Sequence, residues 1–548
     1  MEELFKIYLK LREQDKKLLK FIPINNRIIL SKINTNSNAD SELKYAWINR
    51  SLAQVSKDKT SAILGLLDSD SEEQKIARRM TLKYRKGKNF PVPFEINNED
   101  DLDKFLNIID NNYITIKQNY PNYSNDEFLT LKKYNFKNKK IIIANSENSN
   151  KIIGSNESLQ KVYEKDTIWI KLNIELFFNF FLKKNNIQMT NESFESIVFT
   201  MVKLVKSILI PSEFYKGNID NLRKKIKESL SNNILPVLKF NDSISGYGVH
   251  YPKKINGEYN IEEIESVLED DICFKNYLTS VFDQKENDNK FNNIVEKIED
   301  NGIIIQKYID GNDYAIGFFK PNQLYSQFFS LGLLDLDISE VLTNGTSHYG
   351  DILHYENDFL KSILKNTIFE KQEELFYFSI EILIYLICIN EGIIKDPNEF
   401  INVEMEDFGI QFMINNKTGD LGLIEINART PSHNFNHFNL LSIYGEEFWN
   451  SNLLASKKIL CKSVKIVDID EFNKMTTNEE TENKLIEFFS NKIKSFSDRF
   501  NLVSFQIIKN GFYIYYYYFF EVCNLMEETI RKFETYMKDS ILEIKNLK

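Results

Sequence analysis

Residues 423–429 read Leu-Ile-Glu-Ile-Asn-Ala-Arg. Here an apolar run hands over to a carboxylate, an amide and a guanidinium at i, i+2 and i+4. On a β-strand alternate side chains share a face, so Glu425, Asn427 and Arg429 line up together. Oxygen ligands beside a fixed cation suit a Mg2+–triphosphate group. Mg2+ takes a few hard oxygens plus phosphate oxygens, and arginine forks onto phosphate or acyl phosphate. The triplet alone is also what the wet face of any strand can carry.

Two upstream segments bear on that choice. The first is Pro236-Val-Leu-Lys239-Phe-Asn-Asp-Ser243-Ile-Ser245-Gly246-Tyr-Gly248-Val249-His250. A buried strand delivers a lysine and then turns into a small, polar, glycine-bearing loop. Loop amides freed by glycine cap phosphate oxygens, and the lysine supplies a point charge. The alternative is a strand followed by a flexible hairpin loop. The second is Ile303-Ile-Ile-Gln306-Lys307-Tyr308-Ile309-Asp310-Gly311-Asn-Asp313-Tyr. A strand ends, turns at glycine and resumes with an acid. Such a hinge can offer backbone groups to an adenine edge, with Asp313 accepting ribose hydroxyls. An ordinary strand–turn–strand is the alternative.

Length and composition set the frame. At 548 residues the chain forms three or four units of roughly 150 residues each. Its 42% hydrophobic and 27% charged residues are ordinary for a soluble globular protein. A net charge of −10 with mixed signs argues against a nucleic-acid partner, which would favour a basic face. The lysines of 132–140 read as solvated surface. Cys273, Cys388, Cys461 and Cys523 lie far apart without metal or CxxC spacing, so reduced, mostly buried thiols in a cytosolic protein are expected. The N-terminus begins acidic, unlike a signal peptide. The apolar stretch 375–389 contains Glu381 and is short for a membrane span. No membrane partner is expected.

Along the chain, Arg27–Leu30 and Lys140–Ala144 read as strands of an α/β unit, the second as a parallel core strand. No phosphate loop of the GxGxxG or Walker type occurs there. Gly154-Ser155-Asn156 reads as a joint. Helices dominate from Ile168 to Leu209, ending near Pro211. The stretch 370–390 reads as a long amphipathic helix, and 408–414 and 421–426 as strands paired through a turn at 415–420. The tail reads helix, hairpin, helix around Lys509-Asn510-Gly511, since Asn-Gly is a strong short-hairpin signal.

Taken in order, the Lys239-to-Val249 strand and loop, the Gln306-Lys307-Tyr308-Ile309-x-Gly311-x-Asp313 hinge and the Glu425-x-Asn427-x-Arg429 strand resemble the ATP-grasp family, over roughly residues 203–443. The resemblance implies an α/β (α+β) fold in which two α+β subdomains clamp a nucleotide, preceded by an α/β pre-grasp domain. The implied division is 1–155 pre-grasp, 156–235 helical linker, 236–315 lid subdomain, 316–465 catalytic subdomain and 466–548 C-terminal appendage.

The family's reaction is ATP- and Mg2+-dependent carboxylate activation: an acyl phosphate forms and an amine or thiol attacks it. Carried onto this chain, Lys239 contacts phosphate, and Ser243, Ser245, Gly246 and Gly248 belong to the lid loop. Gln306, Lys307 and Ile309 border adenine, and Asp313 meets ribose. Glu425 and Asn427 hold Mg2+, and Arg429 meets the γ-phosphate or acyl phosphate. Lys206, or Lys203, matches an earlier phosphate-binding lysine. The implied partners are a small-molecule carboxylate and an amine such as an amino acid or peptide, with a carrier protein as an alternative. A homodimer is also compatible.

One departure concerns the metal. The family places an acid on the strand before the Glu-Asn strand, but here Gln411 stands there. An amide oxygen ligates Mg2+ without contributing charge, so metal affinity falls or Glu404 or Glu406 substitutes. This leaves open a weak enzyme or a nucleotide-binding scaffold. His348, within His348-Tyr349-Gly350-Asp351, is either a substrate or phosphate contact or a plain loop residue. His433 and His437, at i, i+4, lack a third ligand and read as packing or substrate contact rather than zinc. The aromatic run Tyr515–Phe520 reads as a core strand, with a stacking surface as the alternative.

Overall fold

In the computed structural model, the described residues are 6, 8–11, 27–30, 61–64, 72–86, 94–96, 99–109, 113–118, 136–144, 153–154, 156–244, 247–250, 254–255, 258–259, 261–282, 290–319, 334–344, 347–355, 358–403, 407–428, 434, 436–437, 439–440, 458–508, 511–521, 526–541 and 543. Arg27–Leu30 (β1), Ser61–Leu64 (β2), Phe94–Ile96 (β3), Tyr113–Gln118 (β4) and Lys140–Ala144 (β5) form a parallel sheet ordered β3-β2-β1-β4-β5. Parallel neighbours need long crossovers, and the strand order reverses at β1 as in doubly wound folds. The expected core strand β5 is parallel but lies at the sheet's edge beside β4.

A smaller antiparallel sheet follows. It contains Ser212–Tyr215 (β6), Pro236–Ile244 (β7) and Tyr247–His250 (β8). The short hairpin Lys254–Ile255 (β9) and Glu258–Tyr259 (β10) precedes its last member, Ile303–Lys307 (β11). The order is β6-β11-β7-β8. Alternation sends Leu238, Phe240, Ile303 and Ile305 to one face. There they pack on Leu222, Leu268, Phe274 and Ile298 of the helices Ile219–Ser231, Ile261–Glu269, Asp271–Phe282 and Lys290–Asn301.

The third sheet is the largest. Asn312–Phe319 (β12), Leu334–Asn344 (β13), Ser347–His354 (β14), Asp407–Ile414 (β15), Leu421–Asn427 (β16), Lys458–Asp468 (β17), Phe500–Ile508 (β18) and Gly511–Phe520 (β19) pair antiparallel in the order β16-β15-β12-β13-β14-β17-β19-β18. Residue 316 lies inside β12 and residue 466 inside β17, so both strands straddle expected domain boundaries. The tail's hairpin continues the same sheet. Along β19, Tyr516 and Tyr518 join the core formed with the C-terminal helices, so the aromatic run is largely buried.

The stretch expected as an amphipathic helix is Glu373–Asn390, and it is apolar all round. From Leu375 to Cys388 only Tyr377 is not fully buried. A helix of this kind must be covered on every side. β12, β15 and β16 cover one side through Ile316, Phe412 and Ile426. The helices Asn156–Tyr163, Thr167–Lys184 and Asn191–Ile208 cover the other through Val162, Phe177 and Met201. Among the described residues, no helix is long and apolar enough to cross a membrane.

The outer edge of β18 would expose unpaired backbone groups, a liability for any sheet. The helix Glu72–Arg85 covers it. Thr81 Oγ1 accepts from the Phe505 amide at 3.0 Å, Tyr84 donates to the Leu502 carbonyl at 3.0 Å, and the buried Arg85 guanidinium donates to the Val503 carbonyl at 3.4 Å. Arg79 and Glu482 add a forked ion pair at the same junction. The N-terminal unit is thereby fastened to the far edge of the large sheet.

Within the apolar helix, Glu381 is fully buried, and the equally buried Tyr8 donates its hydroxyl to Glu381 Oε2 at 2.6 Å. Removing one donor from a buried acceptor costs about 1–3 kcal/mol. Tyr8→Phe is therefore expected to lower the thermal unfolding midpoint measured by calorimetry. An unchanged midpoint would show that the Tyr8–Glu381 hydrogen bond contributes nothing to stability.

Candidate active site

The small and large sheets meet at one buried side chain. Along β7, Leu238 and Phe240 enter the small sheet's core, so Val237 and Lys239 face the other way. Gln306 stands opposite Val237 on β11, and Ile304 opposite Lys239. Lys239 is 5% exposed, and its Nζ donates to the Ile424 carbonyl of β16 at 3.0 Å.

That carbonyl is presented by a β-bulge. Gln411 pairs with Glu425 and Phe412 with Leu423, which leaves Ile424 as the extra residue. A bulge removes one residue from the ladder and re-aims its neighbours. Leu423 and Ile426 both enter the core around the apolar helix, whereas Ile424 packs with Ile210, Ile309 and Met413 on the opposite face. Without the bulge, Leu423 and Ile426 would point to opposite sides. Glu425 and Asn427 alternate with the buried Ile426 and are both half-buried.

Opposite residues of antiparallel strands share a face. Asp313 lies opposite Met413, and Gln411 opposite Glu425. Gln411 Nε2 donates to Asp313 Oδ2 at 2.7 Å. A carboxylate only accepts hydrogen bonds, so the amide nitrogen must face Asp313, and Oε1 is left as the acceptor. The face of β12, β15 and β16 turned away from the apolar helix thus carries Asp313, Gln411 and Glu425.

Lys239 senses this row. Burial pushes its pKa down to about 8, while the nearby Glu425 and Asp313 carboxylates counter part of that drop. A buried cation is costly unless paired, and here the pairing comes from the facing sheet.

The hinge closes the remaining side. The Lys307 amide donates to the Pro211 carbonyl at 2.8 Å and the Tyr308 amide to the Leu235 carbonyl at 2.7 Å. Among the described residues, no hydrogen bond takes the amide of Ile309. Gly311 is required by close approach, since a Cβ there would collide with the Ile414 carbonyl. A parallel bridge between Leu209 and Leu423 brings Ile210 against Ile424. Ile210, Val237, Lys239, Gln306, Lys307, Tyr308, Ile309, Met413 and Ile424 bound a narrow cleft.

The structure therefore brings together Lys239, Gln306, Lys307 and Ile309 along the cleft, with Asp313, Gln411, Glu425 and Asn427 on the adjoining strands. It does not bring Lys206, which is exposed and donates to Thr167 Oγ1 at 2.7 Å on a helix surface. Lys203 is likewise exposed, its Nζ 4.3 Å above the Phe199 ring. Gly248 lies in β8. Ser245, Gly246, Glu404, Glu406, Arg429 and His433 lie outside the described residues, as do the side chains of Ser243 and His348. His437 is buried with Nδ1 3.3 Å from the Tyr355 hydroxyl. No cluster of metal-ligating His, Cys, Asp and Glu occurs among the described residues.

Sequence reading missed the Ile424 carbonyl and the apolar wall of Ile210, Met413 and Ile424. One signal was present: Leu423-Ile424 breaks strict alternation just before Glu425.

No family model matches the chain, and no curated protein matches it. Solved structures similar to it include carboxyaminoimidazole ribonucleotide synthase from Aspergillus clavatus complexed with ATP, at 10% identity, 94% coverage of this chain, 99% of that one and a TM-score of 0.42. N5-carboxyaminoimidazole synthetase from Staphylococcus aureus complexed with ADP gives 11%, 94%, 98% and 0.43. Biotin carboxylase from Campylobacter jejuni gives 10%, 94%, 94% and 0.42. These likenesses are too distant for any residue or activity to be carried across.

Two measurements test this geometry. If nucleotide phosphates seat beside Lys239 they raise its pKa, so near pH 9 binding takes up close to one proton per site and weakens as pH rises through about 8. Calorimetry in buffers of different ionisation enthalpy reads this uptake; zero uptake, or equal uptake in Lys239→Met, contradicts it. Gly422→Ala places a Cβ against Ile210 Cγ1 and 2.6 Å from Ile309 Cδ1. Such overpacking costs about 1–3 kcal/mol, and the variant is expected to lose stability and nucleotide affinity together. A variant that keeps both would show that these walls do not form one cleft.

Proposed function

We propose that this chain is a cytosolic, Mg2+- and ATP-dependent ligase of the ATP-grasp type that activates a carboxylate and joins it to an amine, releasing ADP and phosphate. The observation that carries this reading is the convergence of Lys239, Asp313 and Glu425. They come from three separated segments, and both carboxylates act on the buried Lys239 ammonium. Such a set suits transfer of a terminal phosphoryl group, which needs charge compensation and positioning more than covalent help.

The donor set fits the metal. The side-chain oxygens of Glu425, Asn427 and Gln411 are hard oxygens of the kind Mg2+ takes alongside phosphate. Bound there, the ion would neutralise phosphate charge. Lys239 would leave the Ile424 carbonyl for a phosphate oxygen and carry its positive charge into the site. The Ile309 amide and the Gln306 side chain would meet an adenine edge, with Ile210, Met413 and Ile424 supplying the apolar wall. Arg429, which follows the Glu425-x-Asn427 strand, would meet the γ-phosphate or the activated acid.

A second reading, a nucleotide-binding scaffold with little turnover, draws on Gln411. Its amide brings no charge to the metal row and is committed to Asp313.

The test is phosphate release by the purified chain with Mg2+-ATP and pooled amino acids. Release that depends on the added acid and amine is expected, and Glu425→Ala or Arg429→Ala should lower it by about 10²–10³ or more. An unchanged rate in either variant would remove these assignments. Nucleotide binding with no substrate-dependent release would select the scaffold.

A further inference from the structure

Two helices of the layer behind the apolar helix carry apolar side chains on their outer side as well. Thr167–Lys184 and Asn191–Ile208 bury Phe177 and Met201 in the core. Yet Ile168, Leu172 and Leu176, at i, i+4 and i+8 of the first, are 69%, 54% and 53% exposed, and Phe199 of the second is 59% exposed. These are four of the eight large apolar side chains exposed among the described residues. Scattered singly, such residues need no explanation; gathered on one face, they mark an interaction surface. A helix apolar on opposite sides calls for cover on both.

The charges around this patch bear on what covers it. The outward stripe of Asn191–Ile208 reads Glu192, Glu195, Phe199, Lys203, Lys206, all exposed. Counted from Phe199, the charged positions stand at −7, −4, +4 and +7. The two acids therefore mirror the two lysines about the phenylalanine. Acids early and bases late in a helix suit its dipole on any surface. The dipole does not call for mirror spacing on a single stripe centred on an exposed ring.

The neighbouring helix obeys the same mirror. A six-residue connection, 185–190, returns the chain antiparallel, and Lys206 Nζ donates to Thr167 Oγ1 at 2.7 Å, which sets the two helices level. With equal rise per residue, Phe199 then stands level with residue 174, midway between Leu172 and Leu176. A twofold axis running across both helices at that level would set Leu172 against Leu176 of a second copy and Phe199 against its own counterpart. Lys203 would meet Glu195, and Lys206 would meet Glu192. An isologous contact has this form, one patch meeting itself with its pairs exchanged. Two antiparallel helices of 18 residues each present a face about 27 Å long and about 20 Å wide. Two such faces together bury more than about 1,000 Å², the area a specific interface needs.

We propose that this face joins two copies of the chain as a twofold dimer, each helix lying antiparallel on its counterpart. A lipid surface suits the stripe less well, since it attracts lysines but not Glu192 and Glu195. The dimer rests on this face alone and is independent of the nucleotide site.

Sedimentation velocity of the full chain over a range of concentrations tests it. The wild type is expected to dimerise reversibly. Leu172→Asp with Phe199→Asp brings like charges together at the axis and is expected to be monomeric throughout, with its circular dichroism unchanged because both positions are exposed. Lys203→Glu alone sets a like charge against Glu195 at two symmetric places and should raise the dimer dissociation constant about tenfold or more. Lys203→Glu with Glu195→Lys restores opposite charges across the interface, and the constant should return close to the wild-type value. Within one helix these positions lie two turns apart, about 12 Å, so such recovery cannot arise inside a single copy. A wild-type chain that stays monomeric up to its solubility limit overturns the proposal, as does a dimer that survives the paired Asp substitutions or a charge exchange without recovery. Flotation with phosphatidylserine vesicles is read alongside: a monomeric wild type that binds them, and loses binding with the paired Asp substitutions, assigns the face to a membrane and overturns the dimer. If the Asp variant does not fold, the charge exchange decides, because it leaves every apolar side chain in place.

Discussion

A buried ammonium cannot stay in a protein junction unless something answers it, and the junction between the two sheets is built around that requirement. Lys239 finds the Ile424 carbonyl at 3.0 Å because a bulge has taken Ile424 out of the ladder. The same bulge separates the apolar and polar duties of β16. Leu423 and Ile426 go to the core, Ile424 goes to the cleft, and Glu425 stands opposite Gln411. One irregular residue therefore sets the lobe contact and the placing of the carboxylate. Desolvation weakens the lysine's hold on its proton, and the two facing carboxylates strengthen it. Lys239 is thus held between a backbone carbonyl and the field of two carboxylates.

The rest of the architecture supports this junction from behind. The large sheet can offer a polar face only because its other face is sealed by a helix that is apolar all round. That helix is covered in turn by a three-helix layer which also delivers Ile210 to the cleft. At the far edge, the helix Glu72–Arg85 caps β18 through side-chain bonds to its backbone. The N-terminal unit and the C-terminal hairpin are consequently parts of one continuous assembly around the large sheet. Tyr515 and Tyr517 of that hairpin donate their hydroxyls to Asn436 Oδ1 at 2.6 and 3.2 Å, a further contact within that continuity.

Much of this was legible in the sequence, for identifiable reasons. Alternation is a local property, so the β7 and β11 strands and the 415–420 turn could be read directly, as could the facing of Glu425 with Asn427. The Asn415 side chain, accepting from the Lys417 and Thr418 amides, shows the turn chemistry behind that reading. What could not be read depends on distant partners. The helix 373–390 is an exception: its sequence is apolar on every face, so full burial rather than an amphipathic face was readable from it. The bulge at Ile424 is a mismatch between two strands, not a property of either. Lys206 sits at a helical position whose neighbour, Thr167, is remote in sequence, so spacing alone could not place it. Asn436 looks like loop polarity until the tyrosine hydroxyls it meets are seen.

The most direct measurement of the central idea is a structure of this chain solved with Mg2+ and a non-hydrolysable ATP analogue. The account predicts the base against Ile309, the Lys239 ammonium moved from the Ile424 carbonyl onto a phosphate oxygen, and Glu425 oxygen about 2.0–2.1 Å from the metal. An analogue bound elsewhere, with Lys239 still on Ile424 and Glu425 remote from the ion, would contradict it.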